Sequence, residues 1–189
     1  MSLVTPTVIL LNGASSAGKS SLCKQLQIVL DDPFMHLQED AFVFGTYHER
    51  WTQPGPGERI FAMTMLAYYR SIRACVSVGH NLLVDTGFYT RDLVRQCVHE
   101  LQGLRVWLIG VHCALPELEH RELARENRQA GIAREQFYTI HTHARYDIEV
   151  DTTHTSIAAC AEQIKAVVTS SAHPTALQQL TAHFATTQE

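Results

Sequence analysis

The sequence is short of the features that build disulfide scaffolds and structural zinc sites. Its 189 residues contain five scattered cysteines and no C-x-x-C pair: Cys23, Cys75, Cys97, Cys113 and Cys160. Their odd number and irregular spacing argue against both kinds of site, and they favour a reducing, cytoplasmic environment. We therefore expect free thiols that are buried or half-buried and carry no chemistry.

Long apolar runs and a strong net charge are also missing. No apolar run approaches the ~18 residues that cross a bilayer, and the N-terminus has neither the basic segment nor the cleavage site of a signal peptide. The formal net charge of −4 argues against a broad nucleic-acid-binding surface. We expect a cytoplasmic protein with no membrane or nucleic-acid partner.

Histidine, in contrast, is abundant. Three of the 11 histidines invite a metal-site interpretation: His141, His143 and His154. The H-E-x-x-H pattern is absent, and His141 and His143 are two positions apart, which places them on opposite sides of a helix or a loop. We favour exposed or hydrogen-bonded histidines over metal ligands.

The clearest positive signal is a glycine-containing loop near the N-terminus. Residues 13–20 read G-A-S-S-A-G-K-S and match the phosphate-binding pattern G-x-x-x-x-G-K-[ST], with a strand-like run before the loop and a helix-like pattern after it. In such a loop the backbone N–H groups surround phosphate, the lysine reaches the β- and γ-phosphates, and the hydroxyl after it holds Mg²⁺. The predicted nucleotide-binding residues are Gly13, Ala14, Ser15, Ser16, Ala17, Gly18, Lys19, Ser20 and Ser21, with Ser20 also a metal ligand.

Strands and helices alternate along the rest of the chain. We predict strands at 8–12, 34–39, 81–85, 104–113 and 148–151, and helices at 21–30, 59–78, 91–101, 117–129, 133–143 and 156–169. The prolines and glycines at 53–57 exclude a regular element there. This order predicts a parallel, doubly wound α/β sheet with its ligand crevice at the carboxyl ends of the strands. We expect one domain over 1–170 and a tail over 171–189 that docks as a helix or frays.

Two acids follow predicted strands and should therefore lie in that crevice. Asp40 is the candidate that orients or deprotonates an acceptor hydroxyl; the alternative is a helix cap or a turn aspartate. Asp85 is the candidate that holds Mg²⁺ through water or orients the acceptor; the alternative is a buried structural acid.

Three arginines share one face of the predicted helix at 117–129. Arg121, Arg125 and Arg128 are spaced i, i+4, i+7. The interleaved Glu122 and Glu126 allow the alternative of a solvated face with i,i+4 ion pairs. In a chain with a phosphate-binding loop, we favour arginines that close over a triphosphate, because the planar guanidinium suits phosphate.

These motifs resemble the chloramphenicol 3′-O-phosphotransferase family. The loop follows an I-L-x-N-G strand, and the second half carries V-x-C at 111–113, R-E-x-A-R-x-x-R-x-x-G at 121–131 and E-V-D-T-T-H at 149–154. Gln136, His141 and the pair Tyr146–Asp147 match in order and spacing. The resemblance covers most of 8–168.

The resemblance implies an ATP- and Mg²⁺-dependent kinase of the nucleotide-kinase-like P-loop fold, three-layered, with a five-stranded parallel sheet flanked by helices. It would transfer the γ-phosphoryl to a hydroxyl of a small molecule. Asp40 matches the family's catalytic base, and Lys19, Arg125 and Arg128 would act on the phosphates from the loop and from a lid at about 115–145. Asp85 matches the acid that closes the third strand. Where the family pattern has a second acid, this chain has Thr86.

The chain departs from the family pattern between Asp40 and Arg59, in the segment that should line the acceptor pocket. Phe42, Phe44, Tyr47, His48 and Trp51 lie there with a Pro/Gly turn. Chloramphenicol or a similar compound is the nearest named acceptor. The alternatives are a metabolite or nucleotide-type kinase of the shikimate or adenylylsulfate kind, a nucleotide-sugar kinase and, from another class, an ATP-binding regulatory switch. A homo-oligomer is compatible with the sequence.

Overall fold

A single parallel sheet organises the molecule. The computed structural model describes residues 5–46, 48–124 and 131–186. Five strands form the sheet in the order β2-β3-β1-β4-β5. They are β1 Thr7–Asn12, β2 Phe34–Gln38, β3 Asn81–Thr86, β4 Arg105–His112 and β5 Ile148–Asp151.

Helices cover both faces of the sheet. They are α1 Lys19–Val29, α2 Glu39–Gly45, α3 Pro56–Ser77, α4 Arg91–Leu101, α5 Leu115–Leu123, α6 Ile132–Phe137, α7 Ile157–Val168 and α8 Ala176–Thr186, with a 3₁₀ turn at Glu49–Thr52. One core lies under α1 and α7, and the other lies under α3, α4 and α8. This arrangement confirms the predicted three-layer P-loop fold with a five-stranded parallel sheet.

The central strand β1 supplies both cores because its side chains alternate between the two faces. Ile9 and Leu11 are buried in the core under α1, whereas Val8 and Leu10 are buried in the core under α3. Each such side chain stabilises the fold by about 1.5–3 kcal/mol. Strands buried on both faces read as continuous apolar runs, which is why the sequence pattern indicates a parallel sheet.

The segment between β2 and α3 differs from the prediction. The stretch at 53–57 was expected to contain no regular element, yet α3 begins at Pro56. Gly55 turns the chain with φ 80°, and Pro56 occupies the first helical turn, where its missing N–H costs nothing. Gly57 fits because a Cβ there would collide with the carbonyl oxygen of Trp51. In addition, the strand expected to reach residue 39 ends at Gln38, and α2 follows at once.

The C-terminal helix α8 packs on the sheet through buried Ala176, Leu177 and Leu180. Its start is held by Asp147, whose Oδ1 accepts hydrogen bonds from the backbone N–H groups of Thr175 and Ala176 at 2.6 and 2.9 Å. No helix within the described ranges is both long enough and apolar enough to span a membrane.

Candidate active site

The loop between β1 and α1 contains two residues in the left-handed backbone region. Ser16 and Gly18 have positive φ values of 65° and 91°, and α1 begins directly after Gly18. Gly13 lies so close to β4 that a Cβ would collide with the carbonyl oxygen of Val111. The helix N-terminus carries partial positive charge and has no acid in its first turn. The loop is therefore shaped and charged for an anion.

Two polar side chains of the loop also indicate that its ligand is an anion. The Ser16 hydroxyl is buried and has no hydrogen-bond partner within the described part of the chain. An oxygen-rich anion in the loop would supply one. Lys19 Nζ donates hydrogen bonds to the carbonyl oxygens of Gly13 at 2.7 Å and Ala14 at 3.0 Å. This holds the ammonium group over the loop, beside the place where phosphate would lie.

Ser20 and Asp85 form a hydrogen-bonded pair of oxygens that could hold a metal ion. Ser20 Oγ donates to Asp85 Oδ2 at 2.7 Å, and His36 Nε2 lies 3.2 Å from the same oxygen. Burial raises the pKa of Asp85, but the hydrogen bonds from His36 and Ser20 and the charge of Lys19 outweigh it, and the pKa lies below its ordinary value. Asp85 is therefore ionised and can bind a cation.

The first turn of α2, after β2, contains Asp40 and a carboxylate that the sequence prediction missed. Glu39 is 5% exposed and accepts hydrogen bonds from Thr86 Oγ1 at 2.6 Å, Gly87 N at 2.8 Å and Tyr89 OH at 2.7 Å. Burial raises its pKa, and these three donors oppose the shift. They fix the first turn of α2 to the end of β3. Asp40, the next residue, lies in that turn and not at the strand end. It lines one pocket with Lys19, Ser20 and Asp85, which is called the phosphate pocket below.

At the other end of the loop, Arg121 of α5 is bound to the turn after β5. Its Nε donates to Glu117 Oε1 at 2.7 Å and its NH2 donates to the carbonyl oxygen of Thr152 at 2.8 Å. The Thr152 hydroxyl in turn donates to the carbonyl oxygen of Ala17 at 2.9 Å. A cavity of about 650 Å³ extends from Gly18 along this wall, which is large enough for a nucleoside.

A polar cluster under the loop connects three segments. Asn12 Nδ2 donates to Tyr146 OH at 2.6 Å and to the carbonyl oxygen of Ile140 at 2.8 Å, and its Oδ1 accepts from Phe88 N at 2.8 Å. His141 Nδ1 lies 2.6 Å from Tyr146 OH. Burial, and then the charges of His112 and Lys19, lower the pKa of His141 to about 4. The imidazole is therefore neutral, and its Nδ1 accepts a hydrogen bond from the Tyr146 hydroxyl.

Aromatic rings extend from the phosphate pocket toward the segment at 41–58. The Tyr89 ring lies 6.2 Å from the Phe61 ring, which lies 6.2 Å edge-on from the Trp51 ring. A cavity of about 880 Å³ opens beside Phe61, between α3 and α4. Phe44 instead points outward and is 63% exposed.

The structure brings many of the predicted residues together. One pocket is lined by Ser15, Ser16, Gly18, Lys19, Ser20, Glu39, Asp40, Asp85, Thr86, Tyr89 and Gln136. Arg121 lines the adjoining cavity with Ser21. Arg125, Arg128 and Tyr47 lie outside the described residues. The acid–acid pair at 39–40 was the one sequence signal that could have pointed to Glu39.

Comparisons with known proteins agree with this geometry. Residues 6–169 match the family model described as chloramphenicol phosphotransferase-like protein. The Mycobacterium tuberculosis protein named "Putative O-phosphotransferase" is 32% identical over 200 residues, covering 94% of this chain and 88% of that protein.

Two solved structures share the fold. The APS kinase of Mycobacterium tuberculosis, in complex with AMPPNP and APS, aligns with a TM-score of 0.67 and 14% identity over 88% of this chain and 99% of its own. The tunicamycin resistance protein of Deinococcus radiodurans aligns with a TM-score of 0.66 and 18% identity over 89% and 99%. The family match and the O-phosphotransferase relative each cover most of the chain. The chain therefore belongs to the chloramphenicol phosphotransferase-like family and is a kinase-type enzyme.

Proposed function

We propose that this protein is an ATP- and Mg²⁺-dependent O-phosphotransferase whose acceptor is an uncharged aromatic alcohol such as chloramphenicol. The observation that carries the proposal is the single pocket that joins Lys19, the Ser20–Asp85 pair and Asp40. Phosphoryl transfer requires mainly positioning and charge neutralisation, and these groups provide both.

The loop and α1 would hold the triphosphate. Its oxygens would accept from the loop N–H groups and from the buried Ser16 hydroxyl, and Lys19 would exchange its two carbonyl partners for phosphate oxygens. Ser20 and Asp85 would hold Mg²⁺, which neutralises charge that develops on the transferred group. Arg125 and Arg128 stay predictions as lid residues that close from outside.

Asp40 would accept the proton of the acceptor hydroxyl. As that oxygen forms its bond to the γ-phosphorus, the bond to the β-phosphate oxygen breaks and ADP leaves. The Glu39 contacts to Thr86, Gly87 and Tyr89 hold the first turn of α2, and therefore Asp40, at the end of β3.

The charge of the pocket supports an acceptor without negative charge. Among the described residues lining it, Lys19 is the one cation, and Glu39, Asp40 and Asp85 are acids. An anionic acceptor of the shikimate or adenylylsulfate kind would need further cations on this side. The row of Tyr89, Phe61 and Trp51 supports an aromatic ring in the acceptor.

The nucleoside would occupy the cavity between Arg121 and the turn at 152–157. This is the surface that continues from the loop past Gly18, on the side opposite the acceptor. A guanidinium beside this wall suits stacking on a nucleobase.

The test is a coupled assay of ADP formation with Mg²⁺, with and without chloramphenicol, followed by mass spectrometry of the acceptor. We expect acceptor-dependent turnover at about 1–100 s⁻¹ and a product that carries one added phosphoryl group. If ADP forms slowly and its rate does not change with any hydroxyl compound added, the proposal is contradicted and an ATP-binding switch is favoured. Phosphorylation of other alcohols but not chloramphenicol would retain the transfer chemistry and overturn the named acceptor.

A further inference from the structure

Three potential metal ligands of different chemistry converge behind the phosphate pocket. Cys23 of α1, His36 of β2 and Asp85 of β3 each offer one ligand atom, and the three atoms lie within 4.8 Å of one another. Within the described parts of the chain this is the one such group of three. In the sequence, the scattered cysteines and the missing C-x-x-C pair argued against a zinc site. The prediction missed this group because the three residues lie on separate elements, where no spacing rule applies.

The donor set is that of zinc and not that of magnesium. Zn²⁺ binds thiolate, imidazole and carboxylate, whereas Mg²⁺ prefers oxygen ligands alone. Bonds of about 2.0–2.3 Å in a tetrahedral site place ligands roughly 3.3–3.8 Å apart. His36 Nε2 and Asp85 Oδ2 are already 3.2 Å apart. The Cys23 sulfur lies within 4.8 Å of both atoms, so its distance to each would need to shorten by no more than about 1.5 Å.

The site is enclosed but reachable. Cys23 is fully buried, and the side chains of His36 and Asp85 are 9% and 7% exposed. Asp85 and Ser20 line the phosphate pocket, so an ion can approach the Asp85 end of the cluster from that pocket. Gln38 Nε2 lies 3.3 Å from His36 Nδ1, so the Gln38 amide lies beside the far side of the imidazole. Once turned over, its oxygen could accept the Nδ1–H that a metal-bound histidine donates.

We propose that Cys23, His36 and Asp85 form a site for a thiophilic divalent cation, Zn²⁺ in particular, which removes Asp85 from Mg²⁺ and stops phosphoryl transfer. The inhibitory part rests on the proposed function. On binding, the Cys23 thiol loses its proton to solvent and forms the metal–sulfur bond. The His36 ring moves its proton from Nε2 to Nδ1, and the Gln38 amide turns its oxygen toward that proton. One proton is released for each ion bound.

Cobalt gives the direct test because a cobalt–thiolate bond produces charge-transfer absorption in the near ultraviolet. Tag-free, chelator-treated protein would be titrated with Co²⁺ without nucleotide, and we expect this absorption to saturate at one ion per chain. Zn²⁺ should displace Co²⁺ and abolish the band. Cys23→Ala and Cys23→Ser should each lose the band, whereas Cys97→Ala, which alters an equally buried thiol in the other core, should keep it.

Metal affinity gives the magnitude. Because losing a residue that only supports a ligand weakens binding by about 10–100-fold, Cys23→Ala should weaken Zn²⁺ binding by at least about 100-fold. Absence of the band in the native protein, or its persistence in both Cys23 variants, would overturn the site. Neither result depends on kinase activity, so a failed site and a failed function remain distinguishable.

Activity tests the inhibition. At fixed Mg²⁺, we expect Zn²⁺ to stop acceptor phosphorylation in the native protein, and Cys23→Ala to need at least about tenfold more zinc for the same effect. The rate of this variant in Mg²⁺ alone should match that of Cys97→Ala. Equal zinc sensitivity of Cys23→Ala and Cys97→Ala would overturn the inhibitory role.

Discussion

Ser20 Oγ and Asp85 Oδ2 are 2.7 Å apart although 65 positions separate them in the chain. The contact arises because β1 and β3 are parallel neighbours in a register that pairs Leu11 with Asp85. The loop after β1 folds back over the end of β3 and returns the first turn of α1 to that acid. A hydroxyl and a carboxylate of different elements thereby become one candidate Mg²⁺ site.

Replacement of Lys19 tests the phosphate-binding loop. Lys19→Ala should lower phosphoryl transfer by at least about 10²–10³-fold, because it removes the one cation that the described pocket directs at the phosphates. Turnover would be measured by ADP formation, with Lys24→Ala on the exposed side of α1 as control. Near-normal turnover of Lys19→Ala would refute the loop assignment.

Asp40→Asn tests the catalytic base. The amide keeps the shape of the side chain but cannot accept the hydroxyl proton, so the transfer rate should fall by about 10²–10⁴-fold. ATP affinity, measured by calorimetry, should change little. If affinity for Mg²⁺–ATP collapses instead, Asp40 belongs to the metal site.

Phe61→Ala tests the acceptor side of the site. Loss of this ring should raise KM for an aromatic acceptor about two- to tenfold, because one aromatic contact is worth about 0.5–1.5 kcal/mol. KM for ATP should stay constant. Phe44→Ala, whose ring is 63% exposed, is the matched control. Equal effects of the two substitutions on acceptor KM would exclude Phe61 from the acceptor pocket.

His141 should make stability depend on pH in a defined direction. Its pKa is lowered to about 4 in the folded protein and is about 6.5 in an unfolded chain. Between these values the unfolded chain binds more protons, so this contribution is present above pH ~6.5 and is lost as pH falls toward 4. Urea unfolding at several pH values should show a flatter dependence for His141→Gln than for the native protein. Titration of the His141 ring resonances at the usual histidine pKa would contradict the assignment.

Asp147→Ala should destabilise the protein without changing the rate of phosphoryl transfer. Besides holding the start of α8, Asp147 accepts from Leu108 N through Oδ2 at 2.9 Å. Loss of these contacts should lower the free energy of unfolding by about 1–3 kcal/mol. Thermal or urea unfolding measures it, and kcat at low temperature should be preserved. An unchanged unfolding midpoint would mean that α8 does not depend on this residue.

Local patterns predicted the loop and the alternation of strands and helices along the chain, because each follows from a short stretch of sequence, but they did not give the order of the strands within the sheet. The loop motif indicated Gly13, Lys19 and Ser20 as candidate site residues in one step, and apolar runs marked the strands that are buried on both faces. The start of α3 was wrong because glycines and prolines normally end elements, whereas Gly55 and Pro56 here begin one. Hydrophobic periodicity does not reveal that Gly57 packs against the Trp51 carbonyl, where a Cβ would collide.

The sequence did not predict the roles of residues whose contacts lie far away along the chain. Glu39 reads as the last residue of a strand, and its importance depends on donors from Thr86, Gly87 and Tyr89, almost fifty positions away. The same holds for Cys23 and His36, which meet only after β2 has joined the sheet edge beside β3. Strand-end rules identify acids near a crevice but not the buried groups that surround them.

The sheet order places the two proposed substrate surfaces at opposite edges of the sheet. β1, which carries the phosphate loop, is the middle strand, while β2 leads to Asp40 at one edge and β5 leads to Thr152 at the other. β2 and β5 each pair with one neighbouring strand, whereas β1 pairs with two. The proposed acceptor and nucleoside surfaces therefore belong to opposite edges, and substitutions around β2 can alter the acceptor surface while the loop after β1 keeps its geometry.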